Sequence, residues 1–163
     1  MEIKQYTKEE ILKLIDKIAE ELSFEPALIK AIVMTESSFN QFAETPYARG
    51  LMQISKPALA TVNGIFLTGY KWEQLFNAEV NITVGTLYLD WLYDYFSTKF
   101  PENEFIEDYV VMSYNWGVGN VVKWLLSTKA SNNFIDENVP EETKSHLFDT
   151  IWWYNYFKRG EAK

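Results

Sequence analysis

One carboxyl group of the chain stands in a local sequence suited to proton transfer. Glu36 follows an apolar run at residues 31–34, and Phe39 comes three residues later. A carboxyl among apolar groups loses hydration, which disfavours its charged form and lets it keep a proton for donation to a leaving oxygen. The competing interpretation is a helix-terminal glutamate that points to water, which the local sequence alone favours because Glu is seldom buried.

Residue counts exclude several other kinds of reactive site. The chain has no Cys and a single His, His146, which excludes a thiolate or His-rich zinc site and a Ser–His arrangement with a spare imidazole. We therefore expect no metal and no cofactor. The net charge of -8 argues against a nucleic-acid partner, because phosphates would be repelled. The same charge disfavours electrostatic steering towards an anionic wall or membrane surface.

Length and composition predict one folded domain. The 163 residues, of which 47% are hydrophobic and 17% aromatic, are enough for a single dense core. No stretch approaches the roughly 20 apolar residues of a membrane helix, and the first residues contain no apolar signal segment. We expect a single domain over residues 1–163, monomeric, without membrane insertion and without a secretion signal in the chain as given.

Capping signals and helical periodicity predict helices in the first half of the chain. Thr7 and Glu10 form a capping box before apolar residues at helical spacing. Pro26 opens a second helix, which ends near Glu36. A short helical turn is expected at residues 51–54, and a third helix starts at Ser55 and Pro57 and stops at Gly64.

The second half is also predicted to be helical. Asn77 is the expected N-cap of the longest helix, whose inner stripe would comprise Val80, Val84, Leu87, Trp91 and Tyr95. Further helices are expected at about 105–114, at 120–127 and after Pro140. A small hairpin around Gly69, within residues 65–72, is the candidate β-structure. The predicted fold class is all-α, with about eight helices and at most a minor β-hairpin.

Short motifs follow Glu36-Ser37 in a fixed order along the chain. They are Gly50-Leu51-Met52-Gln53-Ile54, Asn81-Ile82, Ser113-Tyr114-Asn115-Trp116-Gly117 and Val139-Pro140-Glu141-Glu142-Thr143-Lys144. Each motif alone is a weak signal. Together, over about residues 22–158, they make the chain resemble the soluble lytic transglycosylases, which share the goose-type lysozyme fold (glycoside hydrolase family 23). The resemblance implies a lysozyme-like domain around a substrate groove, acting on the glycan strands of peptidoglycan.

The resemblance also implies roles for individual residues. Glu36 matches the family's catalytic acid, and Gln53 matches a residue that hydrogen-bonds sugar. Tyr114 matches a tyrosine whose hydroxyl lies near the acid, although it could instead be a core aromatic. Gln53 could likewise be a solvent-facing amide. The full set of implied substrate-binding residues is Ser37, Thr45, Gly50, Leu51, Met52, Gln53, Tyr114, Asn115 and Glu142.

A single acid is sufficient for the reaction that the resemblance implies. Ordinary glycosidases use two carboxylates, but no second acid of this chain has a comparable context. In the resembled family the N-acetyl group of N-acetylmuramic acid stabilises the reacting centre, and the C6 hydroxyl of the same sugar attacks C1. Glu36 would act first as acid and then as base, giving a 1,6-anhydro sugar without consuming water. Intramolecular attack gains from the high effective concentration of an oriented nucleophile.

Two alternatives stay open at this point. The same site could use water and act as a hydrolytic muramidase, or the chain could be a non-catalytic wall-binding or virion structural module. Its location is also open: a phage or secretion-machine component, a trimmed exported domain and a lysin released by a holin all fit the sequence.

The aromatic residues of the chain are expected mainly in the core. Trp91, Trp124, Trp152, Trp153 and Tyr154 occur at helical spacing, which is typical of packing. In the last helix Leu147, Ile151, Trp152 and Tyr156 are predicted to face inward, and His146 to lie at the helix surface or in a groove. Adjacent Trp152 and Trp153 cannot both face inward, so at least one lies near the surface.

Overall fold

Seven α-helices, one 3-10 helix and a two-stranded sheet make up residues 3–127 and 137–160, the part of the chain that the computed structural model describes. The chain divides into two compact units. The first comprises Met1–Tyr88 and Trp152–Lys163, and the second comprises Leu89–Ile151. The helices are α1 Lys8–Leu22, α2 Pro26–Ser37, α3 Lys56–Ile65, the 3-10 helix Trp72–Phe76, α4 Ala78–Lys99, α5 Ile106–Trp116, α6 Val118–Ser127 and α7 Glu141–Lys158. The predicted all-α class is confirmed.

The capping box predicted for α1 is present. The Thr7 backbone N–H donates to Glu10 Oε2 at 2.8 Å, and the Glu10 backbone N–H donates to Thr7 Oγ1 at 3.2 Å. The first unit then packs α1 against α2 through an almost continuous apolar interior, because α2 is buried along most of its length. Helix α2 is therefore a rigid element, and Glu36 lies in its last turn.

The small sheet lies elsewhere than predicted. Strands β1 (Ala48–Arg49) and β2 (Ile54–Ser55) pair antiparallel, with Ala48 opposite Ser55 and Arg49 opposite Ile54. Residues 65–72 form no strand, so the predicted hairpin around Gly69 is wrong, and Ile54 belongs to a strand and not to the predicted helical turn. Two-residue strands are too short to show the alternation of apolar and polar residues by which a sequence reveals a strand.

Helix α4 begins as predicted but buries a partly different stripe. Asn77 Oδ1 accepts a hydrogen bond from the Val80 backbone N–H at 3.0 Å, which confirms the N-cap. Of the residues expected on the inner stripe, Val84 is buried as predicted. The others are only half-buried: Val80, Leu87, Trp91 and Tyr95. The fully buried side chains of this helix include Asn81, Ile82, Thr86, Leu89, Leu92 and Phe96. Apolar residues on several sides of α4 blur its helical periodicity, which explains the error.

In the second unit, α5 packs on α6 around an aromatic core. The Tyr109 ring lies 5.8 Å from the Phe96 ring and 6.3 Å from the Trp124 ring, between centroids. Trp124 is buried, as the packing interpretation predicted. Gly117 separates the two helices with a φ of 90°, and α6 starts two residues earlier than expected, at Val118.

Helix α7 differs from its predicted orientation at two positions. Trp152, expected to face inward, is 59% exposed, whereas His146, expected at the surface or in a groove, is buried. Since adjacent tryptophans point to different sides of a helix, the half-buried Trp153 takes the more interior position. Among the described helices, none combines the length and the apolar character needed to cross a membrane.

Candidate active site

The half-buried side chain of Glu36 lies where α2 ends in an unusual backbone conformation. Ser38 and Phe39 both adopt positive φ, 50° and 64°, a region that residues other than glycine seldom occupy. Phe39 is only 8% exposed, and its ring makes an edge contact with Phe157 at 6.4 Å between centroids. The ammonium of Lys8 lies 5.1 Å above the same ring. Packing on Phe39 therefore holds the backbone that follows Glu36.

Ser37 links α2 to the turn between the two strands. Its Oγ lies 2.7 Å from the Leu51 carbonyl oxygen and 3.1 Å from the Val33 carbonyl oxygen, and it can donate its one proton to either. The neighbour of Glu36 is thus connected directly to the Gly50–Gln53 motif, which the sequence places 14 residues away. In this structure the hydroxyl of Ser37 is directed at protein carbonyls.

The turn at residues 50–53 has side chains of two kinds. Leu51 and Met52 are fully buried and support the turn from inside. Gln53, at a φ of 47°, donates its amide hydrogens to the Ala43 carbonyl at 3.0 Å and to the Gly50 carbonyl at 2.9 Å. A hydrogen bond from Gln53 to a sugar donor would therefore use its amide oxygen.

The buried amide of Asn81 holds this turn in place. Asn81 Oδ1 accepts from the Met52 backbone N–H at 2.8 Å, and Nδ2 donates to the carbonyls of Arg49 at 2.9 Å and Leu75 at 2.8 Å. Sequence analysis identified Asn81 as part of a motif but assigned no role to it. The available signal was a polar side chain in an apolar helix, since a buried amide requires hydrogen-bond partners.

Replacing this amide tests its part in the fold. Asn81→Ala leaves three backbone groups without their partner, so we expect the free energy of unfolding to fall by about 3 kcal/mol. Asn40→Ala is a suitable comparison, because the exposed Asn40 accepts one hydrogen bond, from Phe42 N–H at 3.0 Å. Urea titration should show a loss of about 1 kcal/mol or less for that variant. Equal losses in the two variants would contradict the role given to Asn81.

Thr45 and Arg49 brace the hairpin on its outer side. The exposed Thr45 accepts hydrogen bonds through Oγ1 from the backbone N–H groups of Tyr47 at 3.2 Å and Ala48 at 3.0 Å. Arg49 pairs with Glu44, Nε to Oε1, at 2.7 Å, and its guanidinium lies 4.8 Å from the Trp72 ring. Thr45, one of the implied substrate-binding residues, thus has a local structural role.

In the second unit, Tyr114 and Asn115 lie in the last turn of α5, and both are half-buried. Asn115 Oδ1 accepts a hydrogen bond from Thr143 Oγ1 at 2.9 Å. Glu142, the implied groove residue, is exposed in the first turn of α7. The structure therefore brings Asn115 together with the buried Thr143, to which sequence reasoning gave no role.

A carboxyl that sequence reasoning passed over also lies on α5. The pKa of Asp108 is raised above its usual range, first because burial removes hydration and second because Glu107 is negatively charged. Tyr93 donates its hydroxyl to Glu107 at 3.1 Å. Asp108 is seven residues from Asn115, so helical spacing places both on one side of α5.

Comparison with known protein families identifies the family to which the chain belongs. The family described as the transglycosylase SLT domain matches residues 13–136. The chain belongs to this family. The resemblance inferred from the ordered motifs is therefore confirmed.

Individual family members are about one-third identical to this chain over the aligned residues. The membrane-bound lytic murein transglycosylase C of Pectobacterium atrosepticum is 37% identical over 119 residues, which cover 69% of this chain and 32% of the relative. The soluble lytic murein transglycosylase of Escherichia coli is 31% identical over 134 residues, covering 78% of this chain and 20% of the relative. This chain thus spans about a third or less of these two relatives.

Solved structures of the family share the fold. A 70-kDa soluble lytic transglycosylase in complex with bulgecin A superposes with a TM-score of 0.76 at 26% identity, covering 93% of this chain and 24% of that one. The Escherichia coli 70-kDa enzyme gives a TM-score of 0.70 at 28% identity, covering 90% of this chain and 24% of that one. The lysozyme-like fold predicted for the chain is therefore confirmed.

Proposed function

We propose that this chain is a peptidoglycan lytic transglycosylase, with Glu36 as its catalytic acid and base. The observation that supports this most directly is the position of Glu36. Its half-buried carboxyl lies at the end of the buried helix α2, and its neighbour Ser37 bonds to the motif turn at 2.7 Å. A proton donor must be held in a fixed position to act as a general acid. Membership of the family adds independent support.

The reaction proceeds in two proton transfers. Glu36 donates its proton to the oxygen of the β-1,4 bond between N-acetylmuramic acid and N-acetylglucosamine, and the bond from C1 to that oxygen breaks. The acetamido oxygen of the muramic acid stabilises the positive charge at C1. The C6 hydroxyl then attacks C1 and returns its proton to the Glu36 carboxylate, giving 1,6-anhydro-N-acetylmuramic acid. The enzyme is regenerated and no water is consumed.

The remaining motif residues are proposed either to contact substrate or to support the residues that do, each within its own unit. In the first unit, Gly50 presents backbone and Gln53 presents its amide oxygen, while Leu51 and Met52 shape the turn from inside. Ser37 and Thr45 fix the backbone around it. In the second unit, we assign substrate contacts to Tyr114, Asn115 and Glu142.

We further propose that residues 1–163 act as one catalytic domain, as a monomer, at the cell wall. Relatives of this chain include membrane-bound and soluble lytic murein transglycosylases. Murein is accordingly the substrate that we assign to this chain. No cofactor takes part in the proposed reaction.

Mass spectrometry of digested sacculi tests the proposed function. Lytic transglycosylation releases anhydro-muropeptides, whereas a muramidase releases products that are one water heavier. Products carrying the added water would replace the proposal by a hydrolytic enzyme. Retention of the protein on sacculi without release of any product would point to a non-catalytic wall-binding module.

A further inference from the structure

An exposed pair of aromatic rings lies near the end of α7, in the first unit. Trp152 is 59% exposed, and Tyr156, one turn later, is half-buried. Their ring centroids are 5.8 Å apart and the planes differ by only 11°. We call Trp152 and Tyr156 the aromatic pair. An indole exposed to this extent leaves apolar surface that a ligand can cover with a gain in free energy.

Other aromatic rings of α7 pack against the aromatic pair and hold it in place. The Trp153 ring meets Trp152 edge-on at 4.6 Å and Tyr156 edge-on at 5.4 Å, and it also contacts Phe157 at 6.0 Å. Phe157 in turn contacts Phe39 near the end of α2. The pair is therefore joined by ring contacts to the interior of the first unit. A preformed aromatic surface loses little conformational entropy when it binds a ligand.

The charge around the aromatic pair differs from that of the whole chain. Residues 152–160 contain Lys158 and Arg159 but no Asp or Glu, while the chain carries a net charge of -8. Lys158 pairs with Glu25 at 3.3 Å, so Arg159 is the cation that distinguishes this segment. Helical spacing places Asn155 and Arg159 on the side of α7 that carries the pair, and both are exposed. An amide and a guanidinium thus share the exposed side of the helix with the two aromatic rings.

We propose that this surface is a binding site for peptidoglycan, additional to the groove residues assigned above, and the proposal rests on the proposed function. The apolar C–H face of a pyranose ring packs on an exposed indole. Asn155 can hydrogen-bond hydroxyl or acetamido groups, and Arg159 can pair with a carboxylate of the stem peptide. Such a contact holds the enzyme on its polymer despite the repulsion expected from its overall charge.

A lipid surface fits these residues less well. Helices that lie in a membrane interface present a broad face of several apolar side chains opposite a polar face. Here the exposed side of α7 at residues 152–160 alternates two aromatic residues with Asn155 and Arg159 and presents no aliphatic side chain. Sugar with attached carboxylates matches this mixture of flat apolar and polar groups.

The test uses variants made in a Glu36→Gln background, so that sacculi are bound but not consumed. Trp152→Ala should raise the apparent Kd for purified sacculi about fivefold, the value of one lost aromatic contact. Trp152→Tyr should restore most of the affinity. Leu67→Ala is the matched control, because Leu67 is 90% exposed in the same unit and lies outside the pair. It should bind as the parent does, and circular dichroism should show every variant folded.

Separate ligands resolve the two parts of the site. Arg159→Gln should weaken binding of peptide-bearing muropeptides more than binding of neutral N-acetylglucosamine oligomers, whereas Trp152→Ala should weaken both. Unchanged affinity of Trp152→Ala for sacculi overturns the proposal. Loss of binding to phosphatidylglycerol vesicles alone, or loss of a dimer seen by sedimentation in the parent, assigns the surface to a membrane or to a second copy and also overturns it.

Failure of this proposal can be distinguished from failure of the proposed function. Cleavage is measured with Glu36 intact, whereas binding is measured without it. Absence of anhydro-muropeptides from the digest contradicts the transglycosylase reaction. It does not affect the comparison of sacculus affinities between the variants. Normal cleavage combined with equal sacculus affinity of Trp152→Ala and Leu67→Ala contradicts only the additional site.

Discussion

Glu36→Gln should abolish the release of anhydro-muropeptides while leaving the protein folded. Gln keeps the size of the side chain and its position in the last turn of α2, but it has no proton to donate to the glycosidic oxygen. General acid–base catalysis contributes about 10² to 10⁴ in rate, and here one residue serves both steps, so we expect a loss of about 10³-fold or more. Product release from sacculi, followed by chromatography and mass spectrometry, measures it.

The matched control is Glu20→Gln, an exposed position on α1 in the same unit. It makes the same chemical change at the surface, and its rate should equal that of the parent. The melting temperature of Glu36→Gln should remain within a few degrees of the parent, since the change is isosteric and the side chain is only half-buried. Retention of full activity by Glu36→Gln would remove the basis for the assignment of Glu36.

Gly50→Ala should destabilise the first unit strongly. Gly50 has a φ of 78°, and a Cβ at this position would overlap the Asn81 side chain and the Leu75 carbonyl oxygen. Neither group can move without breaking the hydrogen bonds that fix the turn. The left-handed backbone and the overlap together should cost about 3 kcal/mol or more in free energy of unfolding. Urea titration followed by circular dichroism measures this loss.

Gly64→Ala provides the comparison for this substitution. Gly64 lies inside α3, and a Cβ there would meet no atom within 4 Å. Since alanine is a better helix former than glycine, we expect this variant to gain about 0.5–1 kcal/mol. The turn that contains Gly50 is hydrogen-bonded to Ser37, the neighbour of Glu36. Gly50→Ala should therefore also reduce cleavage in the fraction that remains folded. If the Gly50→Ala protein were as stable as the Gly64→Ala protein, the steric constraint argued for position 50 would be wrong.

Local sequence determined most of the helices. The capping box at Thr7, Pro26 at the start of α2 and the Asn77 N-cap of α4 are signals read within three or four residues, and each is present in the structure. The same is true of the ordered motifs, whose family assignment is confirmed. These features were predictable because the interactions that create them join residues close in the chain.

Tertiary structure decided the features that depend on residues far apart in sequence. The hairpin at residues 48–55 forms where the Asn81 amide, 29 residues from Met52, meets the backbone of the turn, and its strands are too short to show a pattern. The exposure of Trp152 and the burial of His146 depend on which residues pack against each side of α7. The periodicity of the helix alone does not determine that packing. Sequence could therefore indicate Glu36 as the candidate acid, but the bond from Ser37 to Leu51 and the strained backbone at Phe39 arise only when distant segments pack together.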